Sequence, residues 1–311
     1  MEQFEEISAK LNTLADFVRW GASAFNRAQL HFGHGTNNAA DEALNLVLHA
    51  VNLDHDIPLW LLETRLTEAE KHAVYALLRQ RVETRKPYAY LTHHARFAGL
   101  DFYVDERVLV PRSPVAELIE KGFEPWIEPE RVHRILDLCT GSGCIAIACA
   151  QAFPNAQVDA SDISADALEV ARINVEKLQV GSRVKLQQAD LFRGLPVARY
   201  DIIVSNPPYV DAEDMRTLPE EHQAEPALGL AAGVDGLDVV RRILAEAPAW
   251  LAPGGILVVE VGNSRWALEQ AYPELPFTWL EFECGQAEVF LLNAAQVTTL
   301  SKKSNRAAHV R

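Results

Sequence analysis

The chain has 311 residues, of which 29 are Lys or Arg and 43 are Asp or Glu, so its formal net charge is −14. Hydrophobic residues make up 49% and charged residues 23%, a balance typical of globular proteins, and the length predicts about two domains. A protein whose main task is to grip a nucleic-acid backbone usually carries the opposite charge. We therefore expect a basic partner and no specific nucleic acid.

The sequence lacks the features of a secreted, membrane or metal-binding protein. Its first ten residues include three glutamates and no basic segment, and the longest unbroken apolar run covers residues 144–150. A membrane-spanning helix needs roughly 20 apolar residues. The four cysteines form no Cys-x-x-Cys pair, and the seven histidines before residue 95 show no ligand spacing. These patterns predict a soluble cytoplasmic protein without a metal, whose cysteines stay reduced.

The sequence pattern of residues 1–87 predicts a helical domain. Apolar residues recur at steps of three and four from Phe4 to Val18, which is typical of an amphipathic helix. Asn38 is predicted to cap a second helix, and Thr67 with Glu70 forms the capping box of a third. This domain adds nothing evident to a cofactor site, so we expect it to recognise the substrate.

The pattern changes twice after residue 87. Residues 88–112 alternate aromatic and apolar positions and predict a β-hairpin connector. From 113 to 296, strands and helices alternate, which favours an α/β domain with a mostly parallel sheet and helices on both faces. The predicted strands are 134–138, 157–161, 184–188, 202–204 and 256–261, followed by a final pair, one of them antiparallel, at 277–283 and 288–292. The basic composition of the last residues predicts a flexible tail over 297–311.

A glycine-rich loop follows the first predicted strand of this domain. It reads Asp137-Leu-Cys139-Thr140-Gly141-Ser-Gly143. Ligands of open parallel sheets bind at the carboxyl ends of the strands, and glycines let the backbone come close to them. Ala146 replaces the third glycine of the dinucleotide fingerprint, and the Gly-Lys-Ser/Thr of a phosphate loop is absent from the sequence.

Acidic residues follow the next two strands. Asp162 could accept both hydroxyls of a ribose, or it could cap the next helix together with Ser164. Asp190, which precedes Leu191, would then lie near an adenine amino group. The coincidence of loop and acids at three successive strand ends favours a nucleoside site.

The fourth strand ends in Asn206-Pro207-Pro208-Tyr209. Its simplest interpretation is a rigid turn, because proline fixes φ and has no N–H. Yet the Asn206 side-chain oxygen and the Pro207 carbonyl could accept the two N–H groups of a planar amine or amide. Tyr209 could stack on the flat face of that group. Such a clamp predicts methylation of an amino group or an amide.

These motifs together resemble the class I S-adenosylmethionine-dependent methyltransferases that modify amino groups. Leu109-Val-Pro-Arg112, Glu225-Pro-Ala-Leu228 and Gly236-Leu237 are similar to the glutamine methyltransferases of translation proteins. The resemblance implies a Rossmann-like fold with a seven-stranded sheet, S-adenosyl-L-methionine as cofactor and N(5)-methylglutamine as product. It implies catalytic roles for Asn206, Pro207 and Tyr209, and substrate contacts from these, Pro208 and Glu225. The implied cofactor residues are Asp137, Cys139, Thr140, Gly141, Gly143, Asp162, Asp190, Leu191 and Asn206.

The substrate branch is indicated by two further segments. Release-factor enzymes typically read Pro-Arg-Pro-Glu-Thr-Glu where this chain reads Pro-Arg-Ser-Pro-Val-Ala at 111–116. Residues 32–42 are similar to the branch that methylates ribosomal protein uL3, which implies that basic protein as partner. Alternatives are release-factor methylation, amino-methylation of an RNA or DNA base, and a binding protein without catalysis. Cys139 and Cys144 depart from the Gly or Ala that many methyltransferases carry there.

Overall fold

The computed structural model describes residues 2–283 and 288–299. The chain divides into two units by its internal contacts. The first holds Met1–Ala95 together with Pro219–Ala224, and the second holds Arg96–Leu218 and Glu225–Arg311. Each unit has a hydrophobic core of its own.

The first unit is built from helices. They are α1 (Glu2–Ser8), α2 (Leu14–Arg27), α3 (Ala39–Ala50), α4 (Glu68–Thr84) and α5 (Tyr88–Thr92). The predicted caps are confirmed: the Asn38 side chain accepts the Asp41 N–H, and Thr67 and Glu70 form a capping box. Thr13 forms another box with Asp16, so the apolar periodicity that begins at Phe4 is divided between α1 and α2.

The helices of this unit enclose a core of large apolar side chains. Gly21 on α2 permits close packing, because a Cβ there would lie 2.9 Å from Leu78 Cδ2 on α4. Each fully buried side chain of this kind stabilises the fold by about 1.5–3 kcal/mol. The fully or almost fully buried members include Leu14, Phe17, Phe25, Leu46, Val47, Val74 and Leu78.

Pro219–Ala224 belongs to the first unit because of a buried charged network. The Glu221 carboxylate, which is fully buried, accepts the His31 N–H at 3.0 Å and pairs with Arg85 at 2.8 Å. Arg81, also fully buried, pairs with Glu42 at 2.5 Å. Buried charges of this kind must be paired to be tolerated, so this segment is fixed by electrostatics as well as by packing.

The expected hairpin is shorter than the segment predicted for it. Its strands are β1 (Ala95–Phe97) and β2 (Leu100–Phe102), joined by Ala98 and Gly99, both with positive φ. That conformation matches the twist of a two-residue hairpin. The extended structure expected from Tyr88 onward is wrong for Tyr88–Thr92, which form α5, because the Pro87 carbonyl accepts the N–H groups of the first turn.

The second unit carries the remaining elements. Its helices are α6 (Val115–Glu120), α7 (Cys144–Ala152), α8 (Ala165–Lys177), α9 (Asp214–Thr217), α10 (Asp238–Glu246) and α11 (Arg265–Ala271). Its strands are β3 (Arg134–Leu138), β4 (Gln157–Asp162), β5 (Val184–Gln188), β6 (Tyr200–Ser205), β7 (Leu251–Gly262), β8 (Thr278–Leu280) and β9 (Glu288–Asn293).

These seven strands form one sheet in the order β5-β4-β3-β6-β7-β9-β8. β9 runs antiparallel to both of its neighbours, whereas the pairs from β5 to β7 are parallel. The predicted mostly parallel sheet with an antiparallel strand is therefore confirmed. Apolar side chains are buried on both faces, which explains the near-continuous apolar strand sequences.

The strand register brings three loops together. Leu138 at the end of β3 pairs with Ser161 on β4 and with Ser205 on β6. Because these strands are parallel, their carboxyl ends meet at one edge of the sheet. The glycine-rich loop, Asp162 and the turn that starts at Asn206 all begin at that edge.

The C-terminal segment is partly described. Residues 294–299 are helical, and Val297 is fully buried in the core of the second unit. Packed structure therefore continues beyond residue 296, where the basic tail was predicted to begin, and residues 300–311 lie outside the described residues. Within residues 2–283 and 288–299, no helix combines the length and the apolarity needed to cross a membrane.

Candidate active site

The glycine-rich loop between β3 and α7 has an unusual backbone. Cys139, Gly141 and Gly143 all have positive φ, at 60°, 54° and 80°. A Cβ on Gly141 would meet no atom within 4 Å, whereas one on Gly143 would lie 3.2 Å from Ala171 Cβ on α8. Gly141 thus leaves the loop open toward a ligand, and Gly143 lets the loop pack on α8.

Asp137 lies beneath this loop and is almost fully buried. One carboxylate oxygen accepts the Thr140 hydroxyl at 2.5 Å and the Ala146 N–H at 3.1 Å. Burial raises the pKa of Asp137 to about 7, and the nearby Asp162 carboxylate adds to the effect. Asp137 therefore fixes the loop against the first turn of α7 rather than facing a cavity.

Asn174 on α8 fixes the loop from the other side. Its side-chain N–H groups donate to the Ser142 carbonyl at 2.9 Å and the Tyr103 carbonyl at 3.0 Å. Its side-chain oxygen accepts the Tyr103 N–H at 2.7 Å. The side chain is fully buried, so these bonds are shielded from water. The sequence analysis missed this residue because it belongs to an ordinary helical pattern.

Asp162 links the glycine-rich loop to the start of α8. One oxygen accepts the Gly141 N–H at 2.9 Å, and the other accepts the Ser164 N–H at 2.9 Å. Ser164 in turn caps α8 by accepting the Ala167 N–H. Burial raises the pKa of Asp162. The carboxylate also lines a cavity beside Ile163, where its remaining lone pairs can accept ligand hydroxyls.

Asp190 and Leu191 follow β5, the strand next to β4. Asp190 pairs with Arg242 on α10 at 2.8 Å, and that contact lowers the pKa of Asp190. Leu191 has a positive φ and is buried in the core. Neither residue lines the two cavities described below, although Ala189, just before them, donates its N–H to the Asp162 carbonyl at 3.0 Å.

Two adjoining cavities meet at the carboxyl edge of the sheet. They share Leu109, Cys139, Gly141, Asn206 and Gly229 as lining residues. The first cavity is the one that Asp162, Ile163 and Pro208 line, and none of these three lines the other. The second cavity is the one that Arg112, Thr140, Pro207 and Tyr209 line, and these four are absent from the first. Asn206 therefore stands at the junction, where a group held in one cavity would face a group held in the other.

The turn at 206–209 is fixed to the sheet around it. The Ser205 hydroxyl donates to the Leu138 carbonyl at 2.8 Å, which joins the ends of β6 and β3. Pro207 is buried, and Asn206 and Tyr209 are half-buried. The Tyr209 hydroxyl donates to Glu260 at 3.0 Å. The polar groups of this turn thus face the cavities from a rigid support.

Comparison with known proteins agrees with this geometry. The model of the methyltransferase small domain family matches residues 124–222. Two curated proteins are each named ribosomal protein uL3 glutamine methyltransferase, one from Neisseria meningitidis serogroup B and one from Neisseria gonorrhoeae. Both are 53% identical to this chain over 295 residues, which is 94% of its length. The match covers 97% of the N. meningitidis protein and 98% of the N. gonorrhoeae protein.

The chain belongs to this family of glutamine methyltransferases. The resemblance stated from the motifs is confirmed, and the protein is an S-adenosylmethionine-dependent protein-glutamine methyltransferase with a class I fold. A solved structure of ribosomal protein L11 methylase from Lactobacillus delbrueckii subsp. bulgaricus is similar with a TM-score of 0.41 and 20% identity. The matched region covers 58% of this chain and 77% of the L11 methylase chain.

S-adenosyl-L-methionine is the cofactor of this enzyme. The first cavity suits such a molecule: the loop has no Cβ at Gly141, and Asp162 offers carboxylate oxygens to hydroxyl donors. Ile163, which is 51% exposed, adds an apolar surface for a flat ring system. The donor set and the open loop thus fit the cofactor.

Glu225 holds the wall of the second cavity. Its two oxygens bind Arg112 at 2.5 and 2.8 Å in a bidentate pair, and one of them also accepts the Val110 N–H at 3.2 Å. Glu225 is buried behind Arg112, which itself lines the cavity. Glu225 therefore supports Arg112 from behind. The resemblance implied that Glu225 contacts the substrate directly.

Proposed function

We propose that this enzyme transfers a methyl group from S-adenosyl-L-methionine to the side-chain amide nitrogen of a glutamine in ribosomal protein uL3, giving N(5)-methylglutamine. The observation that carries the proposal is the position of Asn206 at the junction of the two cavities. The relatives named for this activity, which are 53% identical over 94% of the chain, support the substrate.

In this proposal the first cavity holds the cofactor. Cys139, Gly141, Asp162 and Asn206 would contact it there, Thr140 would approach it from the second cavity, and Asp162 would accept its ribose hydroxyls. The bound cofactor supplies an electrophilic methyl group on a sulfonium. Asp137 and Gly143 would act indirectly by supporting the loop, and Leu191 would do so from the core, while Asp190, paired with Arg242, would stay near the Asp162 side of the cavity.

The second cavity would hold the glutamine side chain. Asn206 and Pro207 would each accept one N–H of the amide through an oxygen, Pro208 would keep the turn rigid, and the Tyr209 ring would cover the flat face. These acceptors address a specific difficulty, because an amide nitrogen is a poor nucleophile while its lone pair is delocalised into the carbonyl. Two acceptors best satisfied by a pyramidal nitrogen would withdraw the lone pair from that conjugation.

Fixed dipoles then favour the transfer itself. The nitrogen lone pair would form the new bond to carbon while the carbon–sulfur bond breaks and leaves its electron pair on the sulfur. Positive charge would then develop on nitrogen beside the oxygens of Asn206 and Pro207. Preorganised dipoles aimed at developing charge are among the largest contributions to catalysis. Holding the two groups side by side contributes further through proximity. The nitrogen proton can leave after transfer, so this mechanism needs no strong general base.

We also propose that the helical N-terminal unit selects the protein substrate. In this division, residues 1–87 recognise the substrate, 88–112 connect the parts and 113–299 carry catalysis, since Val297 is buried in the core of the second unit. The charge of −14 suits a basic ribosomal protein, since opposite charge speeds encounter. The three described cysteines are free thiols, as expected for a cytoplasmic enzyme.

One incubation tests the substrate. The full-length enzyme is mixed with methyl-labelled cofactor and a lysate from cells that lack the enzyme, with Asn206→Ala as the parallel control. We expect label on uL3, located at a glutamine by peptide mass spectrometry, and little label with the control. Label on a release factor or on nucleic acid instead would contradict the proposal.

A further inference from the structure

A buried glutamate stands behind the clamp. Glu260 belongs to β7 and is only 2% exposed, in a strand that is otherwise apolar from Ile256 to Val261. The register pairs Ser205 on β6 with Val259, so Glu260 is level with the point where the turn 206–209 begins. The fold thus places an acidic side chain next to the proposed substrate site.

Each oxygen of Glu260 binds a different wall of the second cavity. Oε1 accepts the Tyr209 hydroxyl at 3.0 Å, and Oε2 accepts the Ser113 hydroxyl at 2.5 Å. Ser113 directly follows Arg112, and both residues line this cavity together with Tyr209. One carboxylate therefore joins the turn 206–209 to the segment that carries Arg112.

The Tyr209 ring is held on two further sides. A Cβ on Gly262 would lie 2.3 Å from Tyr209 Cε2, so the ring rests directly on the backbone of β7. The Ser264 hydroxyl donates to the Tyr209 carbonyl at 3.1 Å. The hydroxyl and one edge of the ring are therefore held, and so is the backbone carbonyl of the same residue. Together these contacts fix how the ring faces the cavity.

The charge of this carboxylate is costly for the fold. Burial raises the pKa of Glu260, while the nearby Arg112 guanidinium acts in the opposite direction. Arg112 is already bound to Glu225 through both of its terminal nitrogens. When a buried polar group and its partners are all replaced by apolar groups of the same shape, the fold is often equally stable. Stability alone therefore does not account for a carboxylate at this position.

We propose that Glu260 is a positioning residue for methyl transfer: it orients the Tyr209 ring and the Ser113 wall so that the target amide is held against Asn206. This rests on the proposed function of the clamp. Glu260 acts through its two hydroxyl partners and need not touch the substrate.

The test compares Glu260→Gln with a matched pair in the same sheet. Asp159 on β4 is also a buried acid, 4% exposed, and accepts the Tyr200 hydroxyl at 2.9 Å at the opposite end of β6. Glu260→Gln and Tyr209→Phe are the test variants, and Asp159→Asn and Tyr200→Phe are their controls. For each, we measure the single-turnover rate at saturating cofactor, the cofactor Kd and the Tm.

We expect Glu260→Gln to lower the single-turnover rate by about 10- to 100-fold while the cofactor Kd stays within about twofold. The double variant with Tyr209→Phe should be no slower than Glu260→Gln alone, because the hydroxyl acts through the same carboxylate. Both controls should lower Tm and leave the rate unchanged. Gly262→Ala should also slow transfer, because its Cβ displaces the ring.

Failure of this inference can be told apart from failure of the proposed function. Rates are measured on whichever protein the wild-type enzyme labels, so a substrate other than uL3 overturns the function and leaves the Glu260 test intact. A wild-type rate in Glu260→Gln overturns the inference, and so does a slow rate accompanied by an equal loss of cofactor affinity. A crystal structure of Glu260→Gln gives a check that needs no acceptor, because an unmoved Tyr209 ring would also contradict it.

Discussion

Asp162→Ala is expected to weaken cofactor binding by about 10- to 150-fold. The carboxylate lines the first cavity, and a hydrogen bond to a charged group contributes about 1.5–3 kcal/mol. The same side chain accepts the N–H groups of Gly141 and Ser164, both at 2.9 Å. The substitution therefore also lowers the stability of the fold, by about 1–3 kcal/mol for the acceptors removed.

Asp201 provides the control that separates these two effects. Its carboxylate accepts the N–H groups of His133 at 2.8 Å and Arg134 at 2.9 Å, away from both cavities. Asp201→Ala removes a similar pair of backbone contacts and should lower Tm to a similar extent without changing cofactor affinity. Asp162→Asn keeps one acceptor and should fall between Asp162→Ala and the wild type.

The assay is calorimetric titration with S-adenosyl-L-methionine, combined with thermal unfolding of each variant. A folded Asp162→Ala that binds the cofactor with wild-type affinity would refute the reasoning. An equal loss of affinity in Asp201→Ala would refute it as well, because general destabilisation would then explain both results.

Three further substitutions test the clamp, the loop support and a helix cap. Asn206→Ala should lower the single-turnover rate by about 10²–10³-fold, whereas Asn206→Asp, which keeps an acceptor, should retain more activity; equal rates for Asn206→Ala and wild type would reduce the turn to a structural role. The pKa of Asp137, raised from 3.8 to about 7, means that the folded protein holds a proton there that the unfolded chain releases, so stability from this group is lost as pH rises toward 7. Asp137→Asn cannot ionise and should gain stability relative to wild type as pH rises from about 4 to about 7 in urea unfolding, and a constant difference over that range would contradict the assigned pKa. Thr67→Ala removes the α4 cap and should cost about 1 kcal/mol in thermal unfolding. Thr84→Ala, whose exposed hydroxyl donates to the Gln80 carbonyl and accepts the Lys86 N–H at 3.3 Å without closing a capping box, should cost less.

Some features of this protein follow from short stretches of sequence. The Asn38 cap and the box of Thr67 and Glu70 depend on residues three apart, so local stereochemistry decides them. The alternation of apolar strands and helices likewise predicts the parallel sheet. The loop at 137–143 and the turn at 206–209 are contiguous motifs at strand ends, and topology brings such ends together.

Other features were decided only by tertiary structure. The partners of Asp190 and Glu225 are Arg242 and Arg112, which lie 52 and 113 residues away in sequence, and no local pattern pairs them. The motifs predict Asp190 beside a ligand and Glu225 against the substrate, but they do not show that each carboxylate is bound by an arginine. Ion pairs over such distances depend on which strand ends and loops the fold brings together.

Glu260 combines both kinds of information. An acidic residue within the apolar run of a buried strand is a signal that the sequence does contain, because a lone charge is rarely buried without a partner. What the sequence could not supply was the identity of the partners, since Ser113 and Tyr209 lie 147 and 51 residues away. A buried charge can be recognised from its neighbours in the chain, but what it binds depends on the side chains that the folded sheet places around it.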